Sequence, residues 1–376
     1  MAFRKSARMM LVLAATLAVT QNVLADAERP QTDAEKKGID YLVKTQDQNG
    51  GWLPQIGPGV TALVTKALLQ SGKKVDDPVV AKALAFLDTF RQQDGGYYQQ
   101  GQMNYNTACT LAAFAALPAD ARPAYADRIA AAQKFLKSMQ RIEGTSDGDG
   151  NQITKDNPWY GGWGYSDDRP DISNTAFSID ALRDTGVPAD DPAIQKALTF
   201  ATRSQLNAAT NAEPWAKGET SGGFLYTTDK AEQADESDRS KPRTYGSLTY
   251  AGLKVFIYAG LTKNDPRVLA ALQWIKNHWT LDTNPGTGGA MGLYYYYHTF
   301  AKTMELRGED EITDAKGVKH DWRKELETAL AQQQNADGSW VNKKSKRWFE
   351  SNPLLVTAYA TLSLQEARKP SNPPAP

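Results

Sequence analysis

The chain predicts an all-α fold of helix hairpins in two layers, and three observations carry that prediction. One turn recurs along the sequence: an amphipathic helix ending near a glutamine, then Gly-Gly and an aromatic residue. Each such turn leads through a loop into a second, more apolar helix. Almost no segment alternates with the period of two that marks a half-buried strand.

Taken in order, the first hairpin has an outer helix over Lys37 to Gln46, the turn Gly50-Gly51-Trp52 and a second helix from Thr61. The second runs from Ala83 to Gln92, turns at Gly95-Gly96-Tyr97 and continues with Thr107 to Leu117. The third has Ala131 to Gln140, Gly161-Gly162-Trp163 and a helix from Thr175. The fourth has Lys196 to Gln205, Gly222-Gly223-Phe224 and a helix from Gly246. The fifth is degenerate, with Leu269 to Trp279, Gly288-Gly289 and Tyr294 onward. The sixth restores the pattern with Leu326 to Gln334, Gly338-Ser339-Trp340 and a helix from Leu354. A period of about 46 to 48 residues between Gln46, Gln92 and Gln140 is that of stacked helix pairs, none of which buries its apolar face alone. First helices carry Lys, Asp and Arg on one side and belong outside; second helices such as Thr107 to Phe114 are apolar nearly all round and belong inside. The glycines let the chain reverse, and the glutamine amide satisfies helix-end backbone groups beneath the tryptophan, so these tryptophans serve stacking rather than sugar binding.

Composition narrows the chemistry. The 376 residues hold 43 basic and 43 acidic side chains, which removes the electrostatic footprint of a nucleic-acid partner. One cysteine, Cys109, and three histidines exclude an intramolecular disulfide and a multi-cysteine metal centre, and no cofactor is called for. Arg4, Lys5 and Arg8, the short apolar run Leu11 to Thr20 and Val23-Leu24-Ala25 read as a signal peptide over 1–25, cut after Ala25. That predicts export to the periplasm or beyond, with no transmembrane segment in the mature chain. A linker over 26–35, a repeat domain over 36–366 and a disordered Pro-rich tail over 367–376 complete the organisation.

The pattern Lys-Gly-x-x-x-Leu-x-x-x-Gln-x-x-x-Gly-x-Trp at 37–52 resembles the QW repeat of squalene–hopene cyclases and related terpenoid cyclases. The resemblance extends over nearly the whole mature chain. It implies an α/α toroid, with six inner helices around a cavity and six outer ones, and it supplies the ring closure. The length of the sequence matches one toroid, whereas those cyclases carry two.

Pro170-Asp171-Ile172-Ser173-Asn174-Thr175-Ala176 is similar to the cyclase acid motif Asp-x-Asp-Asp-Thr-Ala, whose middle aspartate protonates an alkene or epoxide. Here that position is Ser173 and the next is Asn174, so the strong acid of the family is missing. Asp171 survives as a candidate acid. Following Pro170 at the start of a helix, it also suits an N-cap, in which role hydrogen bonds would lower its pKa. Two relatives of the toroid fit worse: Thr107 stands where the zinc-binding aspartate of protein prenyltransferases precedes the cysteine, and the thioester motif Gly-Cys-Gly-Glu-Gln is absent.

Tyr294-Tyr295-Tyr296-Tyr297-His298 opens the fifth inner helix, and Tyr105, Tyr245, Tyr250, Trp348 and Phe349 lie near the starts of others. If the toroid gathers those starts at one end, Tyr105, Ser173, Asn174, Tyr245, Tyr250, Tyr294, His298 and Trp348 line a cavity mouth. Packing between inner helices competes for the same tyrosines. His298 alone reads as a hydrogen-bonded core residue. Asp147, Asp149 and Asn151 match the first ligands of a calcium loop, but Gln152 replaces its glycine and Pro158 its bidentate glutamate, which favours a solvated loop. Three functions compete: binding of a hydrophobic, isoprenoid-like ligand, lipid or partner segment; a divergent cyclase or isomerase using Asp171; and polysaccharide chemistry with Asp171 and Glu350 as its carboxylate pair.

Overall fold

The computed structural model describes residues 28–147, 150–228 and 243–370, so the signal-peptide reading of 1–25 and residues 371–376 of the expected tail lie outside the described residues. Six outer helices, α1 (Asp33–Lys44), α3 (Pro78–Asp88), α5 (Ala126–Ser138), α7 (Pro192–Ser204), α9 (Pro266–Asn277) and α11 (Trp322–Gln333), alternate with six inner ones. The inner helices are α2 (Gly59–Gln70), α4 (Met103–Ala115), α6 (Ile172–Asp184), α8 (Gly246–Tyr258), α10 (Leu293–Arg307) and α12 (Pro353–Arg368). α1 thus begins inside the expected linker, and α12 runs two residues into the expected tail.

Local sequence explains the starts. Asp77, Asp191 and Asp265 each precede a proline at the first position of an outer helix, where proline loses no hydrogen bond. The carboxylates of Asp191 and Asp265 accept backbone N–H bonds there at 2.9 Å. Outer helices bury one stripe, as in α1 with Ala34, Glu35, Gly38, Ile39 and Leu42, whereas eleven residues of α2 are buried.

The recurring turn is a joint between hairpins. The indoles of Trp52, Trp163 and Trp340 are fully buried and donate to Leu42 O, Leu136 O and Leu330 O of their own outer helices. The backbone N–H of each aromatic donates to a threonine hydroxyl of the inner helix that follows: Thr61, Thr107, Thr175, Thr249 or Thr357. Gln46, Gln140 and Gln205 donate both to their own turn and to the first turn of the next outer helix, as in Gln140 to Gly161 O and Ala193 O at 2.8 Å. Gln92 stays within its own turn, bonding Phe90 O and Tyr98 O.

The ring closes on itself. The inner helices pack in the order α2, α4, α6, α8, α10, α12 and back to α2, and α1 packs on α12. Gln334 donates to Ala34 O at 2.9 Å, the same joint as elsewhere but spanning the whole chain. The protein is therefore an all-α, α/α toroid. One exception to the helical reading is a hairpin, β1 (Glu311–Thr313) paired antiparallel with β2 (Lys319–Asp321). Asp314 accepts the N–H groups of Lys316 and Val318 to form its turn, a feature too short to leave a period.

Candidate functional site at the toroid mouth

The starts of the inner helices meet at one end. Gly59 N–H donates to the Asn106 side chain, Asn104 N–H to Tyr165 O, Ile172 N–H to Tyr226 O, and Gly246 N–H to Pro285 O. Tyr294 and Tyr295 N–H both donate to the Glu350 carboxylate. These contacts pull the loops before each inner helix into a rim.

Inside the rim, rings fill the axis. Phe177 of α6 lies 5.2 Å from Tyr105 of α4 and 6.0 Å from Tyr295 of α10, centroid to centroid. His298 stacks on Tyr359 of α12 at 5.2 Å, and Tyr359 lies 6.1 Å from Tyr295. Aromatics from four helices therefore plug the lumen at this level, at the spacing of packed rings. The axis that the resemblance implies as a cavity is filled at this level by these rings. Above the plug the side chains stay part-exposed and outline a shallow basin. Its floor is half-buried Tyr105, Ser173, Phe177 and Tyr295, and its wall carries Tyr165 and Trp348, 40% and 41% exposed. Trp348 leans over it, 5.8 Å from Tyr245 and 6.2 Å from Tyr295.

Asp171 stands at the edge of the basin and is 2% exposed. It caps α6: one oxygen accepts from Asn174 N–H at 2.8 Å and the other from the Asn174 amide at 2.7 Å, and the Tyr226 hydroxyl bonds it as well. These bonds pull its pKa down, as the sequence suggests, but burial outweighs them and raises it to about 7. The Tyr226 phenol is pushed upward by burial and by this carboxylate, and burial with Asp171 and Asp168 nearby raises Tyr165 to about 12.

The other residues read from sequence divide. Tyr105, Ser173, Tyr245 and Trp348 meet at the basin. Tyr250 does not: it is 1% exposed and packs between α8 and α10, 5.1 Å from Phe300. Tyr294 turns outward to Gln333 of α11, and Tyr296 and Tyr297 donate to Thr280 O and Leu281 O. Only Tyr295 of that run faces the lumen, because consecutive helical residues point about 100° apart. Asn174 is spent on Asp171. His298 is a buried residue of the core whose Nδ1 lacks a hydrogen-bond partner among the described residues. Burial and the nearby Lys254 and Lys66 hold its pKa well below the usual value, so it is neutral. Both oxygens of Glu350 are engaged: one caps α10 and the other accepts from Asn342 at 2.6 Å, while burial raises its pKa to about 7. Asp147 binds the Asn151 backbone and amide in a closed turn, and Asp149 lies outside the described residues. Among the described residues no cluster of His, Cys, Asp or Glu has the form of a metal site. A cleft of about 390 Å³ lined by Met103, Phe135, Met139, Arg141 and Asp167 lies apart from the basin floor.

Tyr165 and Tyr226 escaped sequence reasoning, although each stands two residues after the Gly-Gly-aromatic turn of its repeat. So did an ionic network at the opposite end. Asp184 accepts from Tyr258 at 3.0 Å and lies 3.5 Å from Lys302 and 3.7 Å from Lys66; Lys254 pairs with Asp180. Burial pushes the Asp184 pKa up, but Lys302, Lys66 and Lys369 outweigh it and hold the carboxylate well below its ordinary range.

Solved structures share the architecture. A variant of the type II terpene cyclase MstE from Scytonema, solved with its substrate geranylgeranyl dihydroxybenzoate, matches with a TM-score of 0.53 at 15% identity, covering 89% of this chain and 96% of that one. An α-amylase from Clostridium perfringens, described as novel, matches at 0.51 and 12% identity over 90% and 99%. A protein from Actinoplanes matches at 0.50 and 14% over 89% and 98%. At these identities the likeness is one of fold. No family model matches the chain, and no curated protein does. None of the described helices is long and apolar enough to cross a membrane.

Proposed function

We propose that the toroid binds a hydrophobic, isoprenoid-like small molecule in the aromatic basin and does not initiate cyclisation by protonation. The observation that carries this reading is the floor itself: Ser173 stands among half-buried rings where the resemblance places an acid. Asp171, two residues before it, is buried, capped and, at a pKa of about 7, weaker as an acid than free aspartate. Rings of this kind stack on flat or unsaturated carbon skeletons and stabilise them by burial. Export, read from residues 1–25, would put the protein among lipids and envelope components rather than cytosolic phosphorylated isoprenoids.

Titration of tryptophan fluorescence with retinol, an isoprenoid with one ring, tests the reading. Saturable one-to-one binding that weakens about tenfold in both Tyr295→Ala and Trp348→Ala is expected, since each loses an aromatic face. Binding unchanged in both variants would sink it. A divergent cyclase using Asp171 draws support from the similarity to the MstE structure. It requires Asp171→Asn to abolish a cyclised product formed by the wild type. Polysaccharide chemistry is weakened by Glu350, both of whose oxygens are occupied at α10 and Asn342.

A further inference from the structure

The loop between Trp340 and α12 is the most cationic stretch of the rim. Lys343, Lys344, Lys346 and Arg347 fall within five residues that hold no acid. Trp348 and Phe349 follow at once, 41% and 47% exposed. The loop is held at its base: Asn342 N–H donates to Glu350 O at 2.9 Å, and the Asn342 amide ties it to Ala290 O and to the Glu350 carboxylate at 2.6 Å. Its tip is strained, with Trp348 at φ 53° and Phe349 at φ 63°, a left-handed conformation disfavoured for aromatic residues. Two successive residues held there aim the indole inward, against Tyr245, Tyr295 and Gly292, where an added Cβ would meet the ring at 1.9 Å.

Trp348 is therefore a wall of the basin, and the lysines sit two to five residues from it. Among the described residues, Lys343, Lys344 and Lys346 form no ion pair. A second cation stands on the same side from the segment that leads into α8: the Arg243 guanidinium lies over the Tyr245 ring at 5.5 Å. By α6, Asp168 and Asp171 lie near Tyr165, while Asp167 pairs with Arg141. Among the described residues the cations of this rim thus stand by α8 and α12.

We propose that the ligand of the basin is an anionic amphiphile: an apolar, ring-bearing body on Phe177 and Tyr295, with a carboxylate or phosphate group over the Lys343–Lys346 loop. This rests on the basin being a binding site and adds the charge of the ligand and its orientation. A bilayer surface is the less suited partner, because the indole leans into the toroid and leaves Phe349 alone to insert.

Retinoic acid and retinol share one carbon skeleton and differ in the terminal group. Titrated at low salt, retinoate should bind about tenfold more tightly than retinol, since several exposed cations each contribute modestly. The advantage should vanish in the triple variant Lys343→Gln, Lys344→Gln, Lys346→Gln and shrink in 0.5 M salt, whereas retinol affinity stays the same in the variant. Retinyl phosphate, run alongside, distinguishes a phosphate preference from a carboxylate one. Equal binding of retinol and the two acids, or an advantage that survives the triple variant, overturns the assignment and leaves the basin intact. If none of the three binds, the basin reading itself fails, and this one with it.

Discussion

Gly161→Ala offers the sharpest test of how closely the hairpins stack. Gly161 has φ +89°, and a Cβ there would sit 1.9 Å from the Lys196 carbonyl oxygen of α7 and 2.5 Å from its carbon. Both atoms are backbone, so relief requires moving the whole outer helix by about 1 Å against a packed layer. Gly186 is the matched control, with φ +94° and nothing within 4 Å. Both alanines carry the conformational cost of a positive φ, about 1 kcal/mol. Gly161→Ala adds overpacking, about 1–3 kcal/mol or more. Gly338 extends the comparison to the seam of the ring: its Cβ would meet Lys37 O of α1 at 2.4 Å. In a closed ring Gly338→Ala behaves like Gly161→Ala, whereas in an open stack of hairpins it behaves like Gly186→Ala. Urea unfolding of the three variants decides the matter through their midpoints. Equal losses at Gly161 and Gly186 would refute the close approach, and a loss at Gly338 no larger than at Gly186 would refute the closure.

Further outcomes follow from single groups. Gln140→Ala strands two backbone carbonyls in a site where the residue is 1% exposed and should cost about 2–4 kcal/mol, against about 1 for Gln92→Ala, whose bonds stay within one turn. Asp171 has its pKa raised from 3.8 to about 7, so the folded state holds the proton longer and stability falls as pH rises from about 4 to 7. Asp171→Asn should therefore gain on the wild type by up to about 4 kcal/mol across that window, and parallel stability curves would contradict the raised value. Asp184 has the opposite sign. Its carboxylate is held below the ordinary value by lysines, so its contribution is complete above about pH 4 and is lost as pH falls further. Asp184→Asn leaves Lys66 and Lys302 short of their carboxylate and should cost about 3–5 kcal/mol at pH 7, read by thermal unfolding.

The layering was readable because each hairpin repeats one solution: a glycine where backbone meets backbone, an indole beneath it, and a glutamine tying one turn to the next. The interior was less so. Tyr294, Tyr295, Tyr296 and Tyr297 look alike in sequence, and only the helix phase relative to its neighbours sends one to the lumen and three to packing. Glu350 reads from sequence only as a candidate catalyst, and nothing local foretells that one of its oxygens caps a helix 55 residues earlier in the chain. The pKa of Asp171 turns on burial, which no local motif encodes. Lys66, Asp180, Lys254 and Lys302 interrupt apolar helices visibly, yet their mutual pairing depends on a ring that brings four hairpins together.

The seam has a consequence for how the gene could be written. Arg29 N–H donates to Arg368 O at 2.8 Å, and Arg368 in turn donates to Gln70 O at 2.6 Å, so the first and last described segments lie side by side. A short linker joining them, with new ends opened at the exposed turn beside Gly72, would give a circular permutant with the same twelve helices in a rotated order. The hydrogen bond from Gln334 to Ala34, which now joins residues 300 apart in sequence, would become a contact between neighbours. Another joint would inherit the long closure, and with it the entropic cost of bringing distant segments together.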